Sequence, residues 1–202
     1  MKKRYWVASI CLIAFFILLV LVVTNQIEAF DQMIYQAIYS IHNKPIDAFF
    51  TTFTHIADTV SVIIIVAILF VCFKPRKDKV HLIFSCATTV ALNQLVKRIL
   101  MRPRPPMERR LIKQGGYSFP SGHSMISLCI CGLLMYFVIT KVKNKALKIG
   151  LCILLTIIIL LVGISRIYVG VHYPSDVLGG YLLTIALLIG DITYINNHFK
   201  GE

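Results

Sequence analysis

Carboxylates are scarce in this 202-residue chain, with nine Asp and Glu against 21 Lys and Arg. Charge of either sign is scarce too, at 15% of residues, where ordinary globular chains carry about 25%. With 57% hydrophobic residues and a mean hydropathy of +0.78, that excludes a water-soluble domain. Cys11, Cys72, Cys86, Cys129, Cys131 and Cys152 all fall inside apolar runs and never as a paired C-x-x-C, which argues against a disulfide framework and against a cysteine zinc site. Internal repeats and low-complexity tracts are absent, so one membrane-embedded domain over residues 1–202 is expected. The net charge of +12 sits in short patches between apolar runs, not in a basic stripe interleaved with aromatics, and nucleic acid is therefore not expected as a partner.

What the chain does have is apolar length. Trp6 to Val23 is interrupted only by Ser9 and reaches ~27 Å as a helix, close to the hydrocarbon thickness. A cleaved signal peptide would need a shorter core and a small-x-small site, and Thr24-Asn-Gln-Ile-Glu28 supplies none, so the run is expected to remain as a span. Spans are predicted at roughly 6–23, 55–73, 80–99, 123–140, 147–165 and 176–195. The fold class expected is all-α, a polytopic bundle of six transmembrane helices in the lipid bilayer. Thr88, Thr89, Asn93 and Gln94 in the third run are expected to face the bundle, and Asp191 in the sixth to reach the interface. Between runs one and two, Phe30, Met33, Ile34, Ala37, Ile38 and Ile41 recur at helical spacing, with Glu28, Asp31, Gln32, Gln36 and Ser40 on other faces. This predicts an interfacial amphipathic helix, ended by the turn His42-Asn-Lys-Pro45, with His42 an ordinary polar turn residue.

Orientation follows from the loops. Lys2, Lys3 and Arg4, then Lys74, Arg76, Lys77 and Lys79, then Lys141, Lys143, Lys145 and Lys148 share one side, while the first connection on the other side has only Lys44. The positive-inside rule makes both termini cytoplasmic. The third connection breaks the rule with Lys97, Arg98, Arg102, Arg104, Arg109, Arg110 and Lys113, which implies that these charges have other work.

Six spans bring three separate stretches to the same membrane face. Lys97 ends run three and Arg104 follows; Ser121, Gly122 and His123 open run four; Arg166 ends run five; His172 and Asp176 flank the start of run six. Each alone has a plain reading, as a snorkelling cation, an interfacial histidine, a turn, or an acid favoured by a helix dipole. Together, cations and a helix start with free amides describe an anion cradle fit for a phosphoryl group. Two imidazoles and a carboxylate four residues from His172 supply a nucleophile, an orienter and an acid.

Lys97-x6-Arg104-Pro105, Pro120-Ser-Gly-His123 and Ser165-Arg166-x5-His172-x3-Asp176 match three motifs without departure. In these the chain resembles the type 2 phosphatidic acid phosphatase superfamily, in its membrane lipid phosphatase branch. The resemblance implies a reaction without cofactor or metal. In it His172 attacks phosphorus to give a phosphohistidine, Asp176 holds its ring, and His123 acts as acid and then base. Lys97, Arg104, Ser121, Gly122 and Arg166 would hold phosphoryl oxygens. The expected substrate is a lipid phosphomonoester or diphosphate at the extracytoplasmic face, with undecaprenyl diphosphate and phosphatidylglycerophosphate favoured over phosphatidate. Three alternatives stay open at this point: a phosphotransferase on the same fold, a zinc hydrolase built on His123, His172 and Asp176, and a small transporter with a polar path through Asn93, Gln94 and Asp191.

Overall fold

The computed structural model describes residues 2–198, with side chains from residue 4 onward; Lys2 and Lys3 of the N-terminal charge cluster lie outside the described side chains. Among the described residues eight α-helices follow one another: α1 (Lys2–Val23), α2 (Glu28–Tyr39), α3 (Lys44–Phe53), α4 (Thr59–Cys72), α5 (Arg76–Leu100), α6 (Gly122–Lys141), α7 (Lys145–Tyr168) and α8 (Pro174–His198). Short 3-10 turns cover Thr54–Ala57 and Met107–Arg109, and no strand occurs among the described residues. Four helices, α1, α6, α7 and α8, are long and apolar enough to cross a membrane, and α3 with α4 makes a fifth candidate bent by 53°. The protein is a multi-pass, all-helical membrane protein.

Helix α6 is the hub, packed against α5, α7 and α8, while α1 lies along α8. Met125, Cys129 and Leu133 of α6 are almost wholly enclosed. Trp6, Ile10, Ile13, Phe16 and Val20 of α1 point outward, as lipid-facing side chains do.

The second run differs from its expected form. Helix α4 has 14 residues, ~21 Å at 1.5 Å per residue, too short to span alone. The missing length is α3, which starts where the turn His42–Pro45 was expected only to end a helix. Asn43 Oδ1 accepts from Ile46 N at 3.0 Å and Pro45 occupies the first turn, two strong start signals. His42 is more than a turn residue: its ring stacks on Tyr168 at 4.0 Å and its Nδ1 lies 3.2 Å from Asp47.

Helix α5 carries enough polar residues to fall outside the apolar set, and most of them turn inward. Ser85, Thr89 and Asn93 are buried, and Thr88 donates to Asp191 Oδ2 at 2.7 Å. Asp191 is thus a buried acceptor inside the bundle, contrary to the expected interfacial position, because a hydroxyl on the adjacent helix satisfies it there. Gln94 also departs from expectation, being exposed at the mouth of a cavity. Helix α2 is turned differently as well. Asp31 faces the bundle and is buried with Ile27, half-buried Phe30, Ile34 and Ile38 flank it, and Met33, Ala37 and Ile41 are exposed. A specific ion pair, described next, outweighs the apolar periodicity.

Candidate active site

The ends of α5 and α7 and the starts of α4, α6 and α8 meet at one rim of the bundle, around a cavity of about 570 Å³. Lys97, Arg98, Arg104, Arg166, His123 and His172 line its polar side; Val62, Ile63, Val90 and Ile126 line the apolar side between α4, α5 and α6. No carboxylate lines it among the described residues.

Local sequence fixes each member. In Tyr173-Pro-Ser-Asp176, Pro174 takes the first helical position of α8 and the Asp176 carboxylate reaches back to accept from Tyr173 N at 2.8 Å, as in a capping box. The same Oδ2 lies 3.3 Å from His172 Nδ1 and accepts from the Ser118 hydroxyl. Gly170, at φ +72°, turns the chain from α7 toward His172; a Cβ there would stand 1.9 Å from the Arg109 carbonyl oxygen, so only glycine fits.

The tautomer of His172 follows from its partners. Arg104 Nη1 approaches Nε2 at 3.0 Å, and since a guanidinium only donates, Nε2 must carry the lone pair. The ring proton is then on Nδ1, aimed at Asp176. Burial, with the charges of Arg104, Arg166 and Lys97, holds His172 well below the ordinary histidine pKa, so the ring is neutral at neutral pH. Burial also pushes Arg104 down to about 10, which still leaves it cationic.

The cations are braced by neutral acceptors. Lys97 Nζ donates to the carbonyls of Tyr117 and Ser118 at 2.7 and 3.1 Å. Arg104 spans Gly115 and Gly116 with Nε and Val171 with Nη1. Arg166, wholly buried, donates to Thr54 Oγ1 and, at 3.0 Å, to Gln114 Oε1. These bonds give the basic third connection its work: several of its charges stitch the loop to the bundle, and Arg109 lies over the Tyr35 ring at 4.5 Å.

Seven of the eight site residues singled out in the sequence adjoin the cavity or reach it through His172. Ser121 sits differently. It is fully buried, and its Oγ accepts from Ser124 N and Ser124 Oγ, so its hydroxyl caps α6 instead of facing the cavity. The helix start beyond it does face that way: Gly122 and His123 line the cavity, and their N–H groups have no acceptor among the described residues. The zinc arrangement does not assemble, since both Asp176 oxygens are engaged and His123 Nε2 lies 2.8 Å from Asp58. The polar path does not assemble either: Asn93 donates to Pro120 O, Asp191 accepts from Thr88, and Gln94 opens to the cavity.

Several participants carry no motif. Arg102 donates to Asp176 Oδ1 at 2.6 Å, Ser175 Oγ at 2.8 Å and Asp31 Oδ2 at 2.8 Å, and lies 4.2 Å over the Tyr173 ring. Burial opposes its charge, but Asp176 and Asp31 outweigh that and raise its pKa above the ordinary arginine value. Asp31 in turn accepts from Ser175 N and Oγ. The one available signal was rarity: in a chain with nine acids, an Asp beside an apolar run invites a search for its partner.

Comparison with known proteins bears on the family and the fold. The PAP2 superfamily model matches residues 78–200. Phosphatidylglycerophosphatase B of Bacillus subtilis (strain 168) is 30% identical over 186 residues, covering 88% of this chain and 90% of that protein. Undecaprenyl-diphosphatase BcrC of the same organism is 31% identical over 166 residues, covering 78% and 79%. The crystal structure of a transmembrane PAP2 type phosphatidylglycerolphosphate phosphatase from Bacillus subtilis superposes with a TM-score of 0.83 at 28% identity, over 96% of this chain and 98% of that one. By family match, relatives and fold together, the chain belongs to the PAP2 superfamily, among its membrane lipid phosphatases.

Proposed function

We propose that the protein removes a phosphate from a lipid phosphomonoester or diphosphate through a phosphohistidine on His172, at the extracytoplasmic rim of a six-span bundle with both termini in the cytoplasm. In this reading α5 is the sixth span, its polar residues shielded by α6 and α8, and α2 lies in the interface. Phosphatidylglycerophosphate and undecaprenyl diphosphate, after the names of the two Bacillus relatives, are the candidate substrates. The apolar strip of Val62, Ile63, Val90 and Ile126 runs from the cations into the hydrocarbon region and suits a tail that leaves the bilayer only at ~0.8 kcal/mol per CH₂.

The observation that carries the reading is the lone pair of His172 Nε2, fixed by Arg104 and the Nδ1 partner Asp176 at the edge of a cavity rich in cations. In the first step that lone pair forms the P–N bond while the P–O bond to the leaving group breaks, and His123 gives its proton to the departing oxygen. In the second, a water oxygen bonds to phosphorus, its proton passes to His123, and the P–N bond breaks to return the pair to Nε2 and release inorganic phosphate. Lys97, Arg104, Arg166 and the amides of Gly122 and His123 stabilise the equatorial oxygens, without a metal ion. Ser121 contributes by capping the helix that presents those amides.

The test is phosphate release by purified protein from prenyl diphosphates and glycerophospholipid phosphates, with chelator present and with acid-quenched capture of labelled phosphohistidine. His172→Ala should abolish both label and turnover; full turnover in that variant would end the assignment. A cysteine at exposed Met107 should react with an impermeant reagent from outside the cell, and protection there would invert the orientation.

A further inference from the structure

His123 has a partner that the motifs do not contain. Its Nε2 lies 2.8 Å from Asp58 Oδ1, and the other oxygen of that carboxylate lies 2.6 Å from His55 Nδ1. Both residues belong to the bend between α3 and α4, upstream of the matched family region at 78–200. Asp58 breaks the helix, with extended backbone at φ −68° and ψ 157°, and the break turns its side chain toward the start of α6. Side-chain exposure is 16% for His123, 39% for Asp58 and 62% for His55, so the two rings and the carboxylate between them form a line from the cavity to water.

We propose that Asp58 is a positioning residue for His123, holding its Nε2–H and stabilising its imidazolium, with His55 as the outer brace of the same carboxylate. This rests on the reading of His123 as the acid. A carboxylate only accepts, so Nε2 carries a proton in both states of the ring, and Nδ1 is left as the atom that gives and later takes the catalytic proton. The need for such a partner is electrostatic. His123 lines the cavity together with Lys97 from α5, Arg166 from α7, Arg104 from the third connection and His172 from the connection between α7 and α8. Asp58 is the carboxylate that contacts it, and the imidazolium must form amid those cations before it can protonate a leaving group. A structural role alone, pinning the bend to α6, would lower stability in a variant without moving the alkaline limb of kcat.

The test is a histidine NMR titration of the full-length protein in detergent, as wild type and as Asp58→Asn, which keeps an acceptor oxygen and removes the charge. Neutral His123 in the wild type should carry its proton on Nε2. In Asp58→Asn its pKa should fall by about one to three units, the shift an adjacent opposite charge produces, and the alkaline limb of kcat should move to lower pH by the same amount. KM should change less than twofold, and Asp58→Glu should restore most of the shift. A wild-type Nδ1–H tautomer, or an unmoved titration in Asp58→Asn, would overturn the proposal; the first needs no variant to fold. Should the wild type release phosphate from no lipid, the functional reading would fail alone, and the ring titration would still decide the role of Asp58.

Discussion

Replacing Arg102 with methionine is the sharpest test of how the site is held. The methionine keeps the aliphatic stem and removes a guanidinium that touches Asp31, Ser175 and Asp176 at 2.6–2.8 Å. The two carboxylates it leaves behind are 3% and 0% exposed. Breaking a buried ion pair by deleting one partner costs about 3–5 kcal/mol, because the remaining charge has no water to return to. Arg102 is itself 14% exposed, so some water can follow it in, and the lower end, about 3 kcal/mol, is the appropriate figure. The site can meet that cost by protonating Asp176 or by turning it away from His172. Either route removes the charge that fixes the Nδ1–H tautomer, and ~3 kcal/mol appearing in the barrier is on the order of a hundredfold in kcat/KM. Thermal unfolding in detergent and phosphate release read the two effects. Asp31→Asn should cost less, since Arg102 and Asp176 keep each other. Combined with Arg102→Met it should be milder than the sum of the single changes, since one orphaned charge is gone. Wild-type stability and turnover in Arg102→Met, or strict additivity in the double variant, would refute the ion-pair argument.

Other expectations follow from the same geometry. Because burial and three cations depress the His172 pKa, its ring stays neutral as pH falls through the ordinary histidine range near 6.5. The acid limb of kcat/KM should therefore lie below that value, and Arg104→Gln, which removes one suppressing charge, should raise it; a wild-type limb at pH 7 or above would contradict the burial argument. The same depressed group makes folding less favourable as pH drops below about 6.5, where the unfolded chain binds a proton that the folded chain refuses. Ser121→Ala should cost about 1 kcal/mol of stability through the lost cap and change kcat only a few-fold, whereas a thousandfold loss with intact stability would mean that the hydroxyl touches the phosphoryl group. Gly170→Ala should lower stability and turnover together, as its Cβ would meet the Arg109 carbonyl; wild-type behaviour would show that the turn has room to relax.

The helices were legible in the sequence to within a few residues wherever apolar length alone decides, as in α1, α6, α7 and α8. Lys97, Arg104, Gly122, His123, Arg166, His172 and Asp176 were legible because chain connectivity delivers helix ends to a common rim whatever the packing angles. Three other features were not. Helix α3 was hidden by reading Asn43 and Pro45 as a stop when the same residues serve as a start. The orientation of α2 is hidden because an aspartate at helical spacing from apolar residues reads as outward, although an arginine 71 positions away makes the burial of Asp31 favourable. Asp58 and Arg102 are tertiary partners, and no periodicity points to a partner on another helix.

The scarcity of carboxylates acquires a physical meaning at this rim. Asp31 and Asp176 hold Arg102, Asp176 orients His172, and Asp58 faces His123. None of them lines the cavity. The cations that do line it are braced by backbone carbonyls, a hydroxyl and an amide, as with Lys97 on Tyr117 and Ser118 or Arg166 on Thr54 and Gln114. Neutral acceptors fix the direction of a cation without cancelling its charge, so the field inside the cavity stays positive and open to a polyanion. Had carboxylates supplied those braces, each would compete with the phosphate for the same donors. The division also predicts opposite responses to charge insertion. Gln114→Glu, one atom from wild type in shape, should neutralise Arg166 and raise KM at least tenfold for a lipid phosphate while leaving the fold intact. An unchanged KM in that variant would mean that Arg166 serves the packing of the bundle and not the anion.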